Sequence, residues 1–142
     1  MQDLESVSKY INTPFRGIEE STYYPDQGIG LGNCYENPQF KAVSMRKYQY
    51  ESTSTVEAIK VGLYQTGPLL AVAKVGLEFM FYESGIMDVE NSYFSKYHPL
   101  LIVGYGRELG VDYWIAKNSF GHLWGEAGYL RTIMVHSGVD VL

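Results

Sequence analysis

Three histidines, His98, His122 and His136, and one thiol, Cys34, are the side chains of this chain best suited to move protons or form covalent bonds near neutral pH. No histidine pair has metal-ligand spacing beside a cysteine or a third ligand. His122 and Glu126 are four apart, but Gly121 and Gly125 make a helix there improbable, so no metal site is expected. His98 stands apart by its surroundings. It opens an apolar run, Leu100-Leu101-Ile102-Val103, that closes in Gly104-Tyr105-Gly106. A second segment follows, Tyr113-Trp114-Ile115-Ala116-Lys117-Asn118-Ser119-Phe120-Gly121, and then Trp124-Gly125-Glu126. Taken alone, these residues fit a strand hairpin with a capping histidine and a turn asparagine, because Asn before Ser and Gly is ordinary turn chemistry.

The elements that carry them follow from periodicity. Leu4, Val7, Ser8 and Ile11 share a face at helical spacing and predict a short first helix. Residues 12–40 are rich in Gly, Pro, Asn and Tyr and read as a long irregular loop. Ser54-x-x-Glu57 matches a capping box, after which Val56, Ile59 and Leu63 line one helical face. Thr66-Gly67-Pro68 ends that helix. Leu69 to Val75 is a strand by length, and Leu77 to Tyr82 could form one aromatic-rich helical turn. Leu100 to Tyr105, Tyr113 to Lys117 and Gly128 to Ile133 read as further strands. Helices first and a mostly antiparallel sheet after them make an α+β arrangement, with a linker near residues 35 to 50.

Composition narrows the function classes. The chain has 142 residues, 46% of them hydrophobic and 19% charged, enough for a buried core. The net charge of −5 argues against nucleic acid or an anionic membrane as the main partner. No apolar run is long enough to span a membrane, and the start lacks the pattern of a secretory signal. A single cysteine cannot form an internal disulfide, so the chain lives in a reducing compartment or Cys34 pairs with another chain.

The two segments resemble papain-like cysteine peptidases of the cathepsin L-like kind. His98-x-Leu100-Leu101-Ile102-Val103-Gly104-Tyr105-Gly106 is similar to their active-site histidine strand. Tyr113-Trp114-Ile115-x-Lys117-Asn118-Ser119-Phe120-Gly121-x-x-Trp124-Gly125-Glu126-x-Gly128-Tyr129 is similar to their asparagine segment. Gly17-Ile18 through Tyr23-Tyr24-Pro25 resembles the family's left-lobe loop. Gly67-Pro68 and Phe81-Tyr82-x-Ser84-Gly85-Ile86 resemble the start of its right lobe. The resemblance implies a papain-like fold, mostly the right-lobe antiparallel sheet or barrel with part of the helical left lobe. Residues 1–45 would be the left-lobe remainder and 46–142 the right lobe. It also implies chemistry in which a thiolate attacks a carbonyl, an imidazolium protonates the leaving amine and an amide orients the imidazole. By position, His98 is then the acid/base and Asn118 the orienter. Trp124 would wall the leaving-group side, and Val72 and Tyr97 would line the substrate-binding groove.

The nucleophile does not follow the pattern. Gly32-Asn33-Cys34-Tyr35 echoes the family's Gly-Ser-Cys-Trp, but His98 lies 64 positions after Cys34, against about 130 to 150 in the family. Cys34 instead matches a position where the family carries a disulfide cysteine. Ser137-Gly138-Val139 stands where the family has Cys-Gly-Ile, so the right-lobe disulfide is expected to be absent. Tyr97 and Pro99 flank the histidine where the family prefers a small polar residue and Ala, and Phe120 replaces a Trp. The expectation is a cysteine peptidase fragment that begins partway through its domain and lacks the nucleophilic segment. Alone it would be inactive; a second polypeptide or N-terminal segment would complete it for peptide substrates. The alternative is a non-catalytic papain-like pseudoenzyme serving as a structural or assembly subunit. No cofactor is implied. Lysosomal or extracellular residence is the family default, and an intracellular one goes with the pseudoenzyme.

Overall fold

Thr55 has extended backbone, and its Oγ1 accepts the Ala58 N–H at 3.3 Å, which starts helix α1, Val56–Thr66. The cap is therefore Thr55; Ser54, expected to begin the capping box, lies outside the described residues. Gly67 closes the helix at φ 95° with its N–H on the Leu63 carbonyl, and Pro68 follows. The computed structural model describes residues 11, 17–26, 33–44, 55–89, 96–134 and 139–141. The expected first helix lies outside these residues except for Ile11, which is helical.

The chain divides into two compact units, Met1–Gln49 and Tyr50–Leu142. In the first, strand β1 (Ile18–Glu19) pairs antiparallel with β2 (Lys41–Val43), and a 3-10 turn spans Pro38–Phe40. The Asn37 side chain caps that turn on the Gln39 N–H, while the Asn37 N–H donates to Glu19 at 2.6 Å. Of this short strand pair, β1 lies inside the expected irregular loop of residues 12–40 and β2 begins just past it. No periodicity announces it, because strands of two and three residues are too short to alternate.

The second unit is built on a six-stranded sheet. Its strands are β3 (Leu69–Val75), β4 (Ile86–Met87), β5 (Lys96–Glu108), β6 (Val111–Lys117), β7 (Tyr129–Ile133) and β8 (Val139–Val141). Their order is β4-β7-β6-β5-β3-β8, antiparallel throughout except the β4–β7 pair. β5 begins earlier than the apolar run suggests, so that His98 lies within the strand. A 3-10 helix, Leu77–Phe81, joins β3 to the turn before β4. The strand residues β4 and β8 escaped the sequence reading for the same reason as β1 and β2: they are two and three residues long.

One sheet face is buried at both ends. Ala71, Ile102 and Trp114 meet Val56 and Ile59 of α1, with Leu63 packed against them. Ala73, Val75, Leu100, Ala116 and Leu130 meet Phe79, Tyr82 and Val89. A bulge in β5, where Ile102 opposes Ala116 but Gly104 opposes Ile115, shifts the register just past Ile102, so both buried β5 residues, Leu100 and Ile102, keep their alternation ahead of it. Pro99 is accommodated because the β6 ladder begins only at Leu101. At Pro99 the strand is paired on one side, by Val72 of β3.

Candidate active site

His98 sits opposite Ala73, on the sheet face of Leu100 and Phe79. Asn118 follows the last residue of β6, one position past the Leu101–Lys117 rung that opens the β5–β6 ladder. The two side chains therefore meet just beyond the ladder's end. Asn118 is buried, and its backbone N–H donates to the Gly128 carbonyl at 2.9 Å.

The amide has one possible orientation. Its Oδ1 accepts the Ser119 N–H at 2.8 Å, and a backbone N–H can only donate, so the atom it addresses is the oxygen. That same oxygen lies 2.8 Å from His98 Nε2. Nε2 must then carry a proton and donate it. Nδ1 is left as the nitrogen that can take up or release a proton on the opposite side of the ring.

Aromatic rings enclose the pair. Phe79 and Phe120 each lie 5.2 Å from the imidazole centroid, tilted at 56° and 57°. Phe79 is fully buried, whereas Phe120 is 45% exposed and lies over the ring as a lid. Trp124 packs at 5.5 Å on Phe120, 5.0 Å on Phe79 and 5.4 Å on Tyr82, and its indole N–H donates to the Phe79 carbonyl at 3.2 Å. The turn that carries Trp124 needs Gly125, which has φ 55°. A Cβ there would meet the Tyr129 carbonyl oxygen at 2.6 Å and the Tyr82 ring at 2.9 Å.

Val72 and Tyr97 lie elsewhere. Val72 opposes Pro99 and is buried, while Tyr97 opposes Lys74 and is exposed. Strand alternation puts both on the sheet face opposite His98. Cys34 is exposed and belongs to the first unit. Among the described residues no group of acidic, cysteine or histidine side chains could hold a metal ion.

Three features of this site were not foreseen. Ser119 acts through its backbone, which leaves no trace in side-chain type. Phe79 was visible only as one aromatic in a helical turn. Glu126 and Arg131 form an ion pair at 2.7 Å beneath the Trp124 turn. Arg131 holds the Glu126 carboxyl below its ordinary range, and the Gly85 N–H adds to this, while burial opposes it. Burial pushes the Tyr82 phenol up, against the lowering effect of the Arg131 N–H that it accepts.

The family model for papain family cysteine proteases matches residues 3–140. The chain belongs to the papain family. Its segment is 36% identical over 116 residues to cysteine proteinase RD21A of Arabidopsis thaliana, covering 81% of this chain and 25% of that protein. It is 40% identical to the viral cathepsin of Spodoptera litura multicapsid nucleopolyhedrovirus, covering 81% of this chain and 33% of that protein. Among solved structures, the digestive procathepsin L2 proteinase of the Tenebrio molitor larval midgut superposes with a TM-score of 0.80 at 30% identity, covering 96% of this chain and 45% of that chain. The fold is thus that of the C-terminal part of a papain-family domain. The chain spans a quarter to a third of the length of the relatives RD21A and the viral cathepsin.

Proposed function

We propose that this chain supplies the imidazole–amide half of a papain-type cysteine peptidase site, and that the nucleophilic thiolate comes from polypeptide outside these 142 residues. The single observation that carries this reading is the 2.8 Å bond from His98 Nε2 to an Asn118 oxygen already oriented by Ser119. With Nε2 occupied, Nδ1 faces the reaction. A thiolate beside it attacks the substrate carbonyl carbon, and the N–H at Nδ1 passes its proton to the departing amine nitrogen. Water then attacks the acyl-enzyme, giving its proton to the neutral Nδ1 as the thiolate leaves. Through both steps Asn118 holds the ring and stabilises the imidazolium. Phe120 and Trp124 keep water from the bond between them and bound the leaving-group side. Val72 and Tyr97, on the reverse face of β3 and β5, would line the substrate-binding groove.

On this proposal the chain alone is inactive, and Cys34 is not the nucleophile. The test compares the chain alone with the chain joined to a papain-family segment that bears the Gly-Ser-Cys-Trp cysteine. Hydrolysis of a fluorogenic peptide, and alkylation by an epoxide that requires an activated thiolate, are measured. Turnover only in the joined form, abolished by His98→Ala, is the expected result. Alkylation of Cys34 at neutral pH in the chain alone would overturn it.

Tyr97 and Pro99, flanking the histidine, favour a second reading, a papain-like pseudoenzyme that serves as an assembly subunit. It predicts no turnover in the joined form, although the His98–Asn118 bond persists.

A further inference from the structure

Arg131, on β7, forks onto Glu126: its Nε lies 2.9 Å from Oε2 and its Nη2 2.7 Å from Oε1. The same Oε1 accepts the backbone N–H of Gly85 at 3.0 Å, 41 residues away in sequence. The remaining arm of the fork, Nη1, pairs with Glu108 near the end of β5, and the guanidinium lies 5.4 Å over the Tyr113 ring of β6. The Tyr82 hydroxyl donates to the Gly85 carbonyl at 2.7 Å and accepts the Arg131 backbone N–H at 3.2 Å. One carboxylate therefore ties the β6–β7 connection to the turn before β4 and to the guanidinium of Arg131.

Glu126 stands inside the tight turn that closes this connection. Its own N–H donates to the Tyr129 carbonyl at 2.9 Å, and the Gly128 N–H donates to the Trp124 carbonyl at 2.8 Å. The Gly128 carbonyl in turn accepts the Asn118 N–H at 2.9 Å. A short path of bonds thus runs from the Glu126 carboxylate through the turn to the backbone of Asn118, whose Oδ1 meets His98.

We propose that Glu126 is a positioning residue for the His98–Asn118 pair: its carboxylate latches the 124–129 turn, so that the Gly128 carbonyl keeps the Asn118 amide in register with the imidazole. The inference rests on reading that pair as the proton-moving unit. Its physical basis is the narrow tolerance of such pairs, because a displacement of about one ångström is enough to lose a productive geometry. The competing possibility is that the β6–β7 ladder, whose last rung is Lys117–Tyr129, fixes Asn118 unaided. Glu126 would then contribute stability and nothing more.

The test uses the full 142-residue chain, isotope-labelled at the histidine nitrogens, with Glu126→Gln, Glu126→Asp and Glu108→Gln variants. Magnetic resonance reads the tautomer of His98 and the exchange of its Nε2–H with water, alongside the thermal midpoint. Glu126→Gln is expected to speed that exchange about tenfold, as local opening becomes easier, and to admit the Nδ1–H tautomer. Glu126→Asp, with the charge kept, is expected to restore part of the protection. Glu108→Gln removes a partner from Arg131 but none from the turn, and is expected to leave both readouts at wild-type values. A lower thermal midpoint in Glu126→Gln with tautomer and exchange unchanged would overturn the proposal. If Glu126→Gln does not fold, Glu126→Asp decides on the same readouts, because a wild-type exchange rate there alongside a lowered midpoint would also overturn it. An unprotected Nε2–H in the wild-type chain would overturn the reading of the pair itself, whereas failure of the latch alone leaves that reading standing.

Discussion

His98 Nε2 donates to Asn118 Oδ1 at 2.8 Å, and the backbone N–H that follows Asn118 donates to that same oxygen. Two donors on one oxygen give the amide a single orientation, and the amide gives the imidazole a single tautomer when neutral. The geometry therefore commits Nε2 to the amide and leaves Nδ1 as the nitrogen to which the proposed function gives the reaction. It depends on where two strands end: β5 carries His98 three positions before the β6 ladder begins, and β6 releases Asn118 one position past the same rung.

Removing the amide tests that assignment. Asn118→Ala leaves Nε2 without its acceptor, and the half-buried imidazolium loses a hydrogen bond from a charged donor worth about 1.5–3 kcal/mol. In the joined, active form this predicts a fall in kcat of about 10- to 100-fold with KM little changed. Steady-state kinetics with a fluorogenic peptide check it, and equal losses in kcat and KM effects would point instead to a distorted groove.

Phe120 is the lid of the pair and is 45% exposed, so its truncation should affect chemistry more than folding. Phe120→Ala is expected to cost about 1 kcal/mol of stability or less, while admitting water to the Nε2–Oδ1 bond. Phe120→Trp restores an apolar cover of greater area. The order of kcat in the joined form should be Trp at or above Phe, with Ala clearly below. Thermal melts beside the kinetics separate the two effects, and parallel losses in both would mean that the ring is core rather than lid.

Much of this arrangement was legible in the residues, and what was not has a physical reason. Val56, Ile59 and Leu63 announced one face of α1, and the 69–75 strand emerged with the bounds its apolar run set. The His98 and Asn118 segments could be picked out because long motifs of fixed order survive as residue types. The start of β5 could not, since Lys96, Tyr97 and Pro99 carry no apolar alternation and are held by register with β3. Nor could the Ser119 contribution, which is a backbone N–H, or the Glu126 latch, which joins residues far apart in sequence through the turn of Gly85.

Glycines in the second unit separate turn strain from steric exclusion. Gly125 has φ 55° and no room for a Cβ, with the Tyr129 oxygen 2.6 Å away. Gly110 has φ 87°, in the β5–β6 hairpin, with nothing within 4 Å. Gly110→Ala should cost about 1–2 kcal/mol, the ordinary penalty of left-handed backbone. Gly125→Ala adds a clash with backbone to that penalty and should cost several kcal/mol, in the range of strained overpacking. Denaturant unfolding of the two variants compares them directly, and equal losses would mean that the Trp124 turn can shift to make room.

The Glu126 latch should also give stability a pH dependence of known sign. Arg131 first, and then the Gly85 N–H, hold the folded carboxyl below its ordinary value, and burial offsets only part of this. Between the folded and unfolded values the unfolded chain binds more protons, so stability rises with pH across that window. The contribution is complete above the unfolded carboxylate value of about 4.3 and is lost as pH falls through the lower folded value. Thermal midpoints of wild type and Glu126→Gln, measured from about pH 6 down to about pH 2.5, should therefore differ most at the upper end and converge in acid. Added salt should narrow the gap at the upper end, because the carboxylate side chain is 28% exposed and the pair is partly screened. A gap that stays constant across the whole range would mean that the glutamate acts through its shape and hydrogen bonds, with its charge contributing nothing.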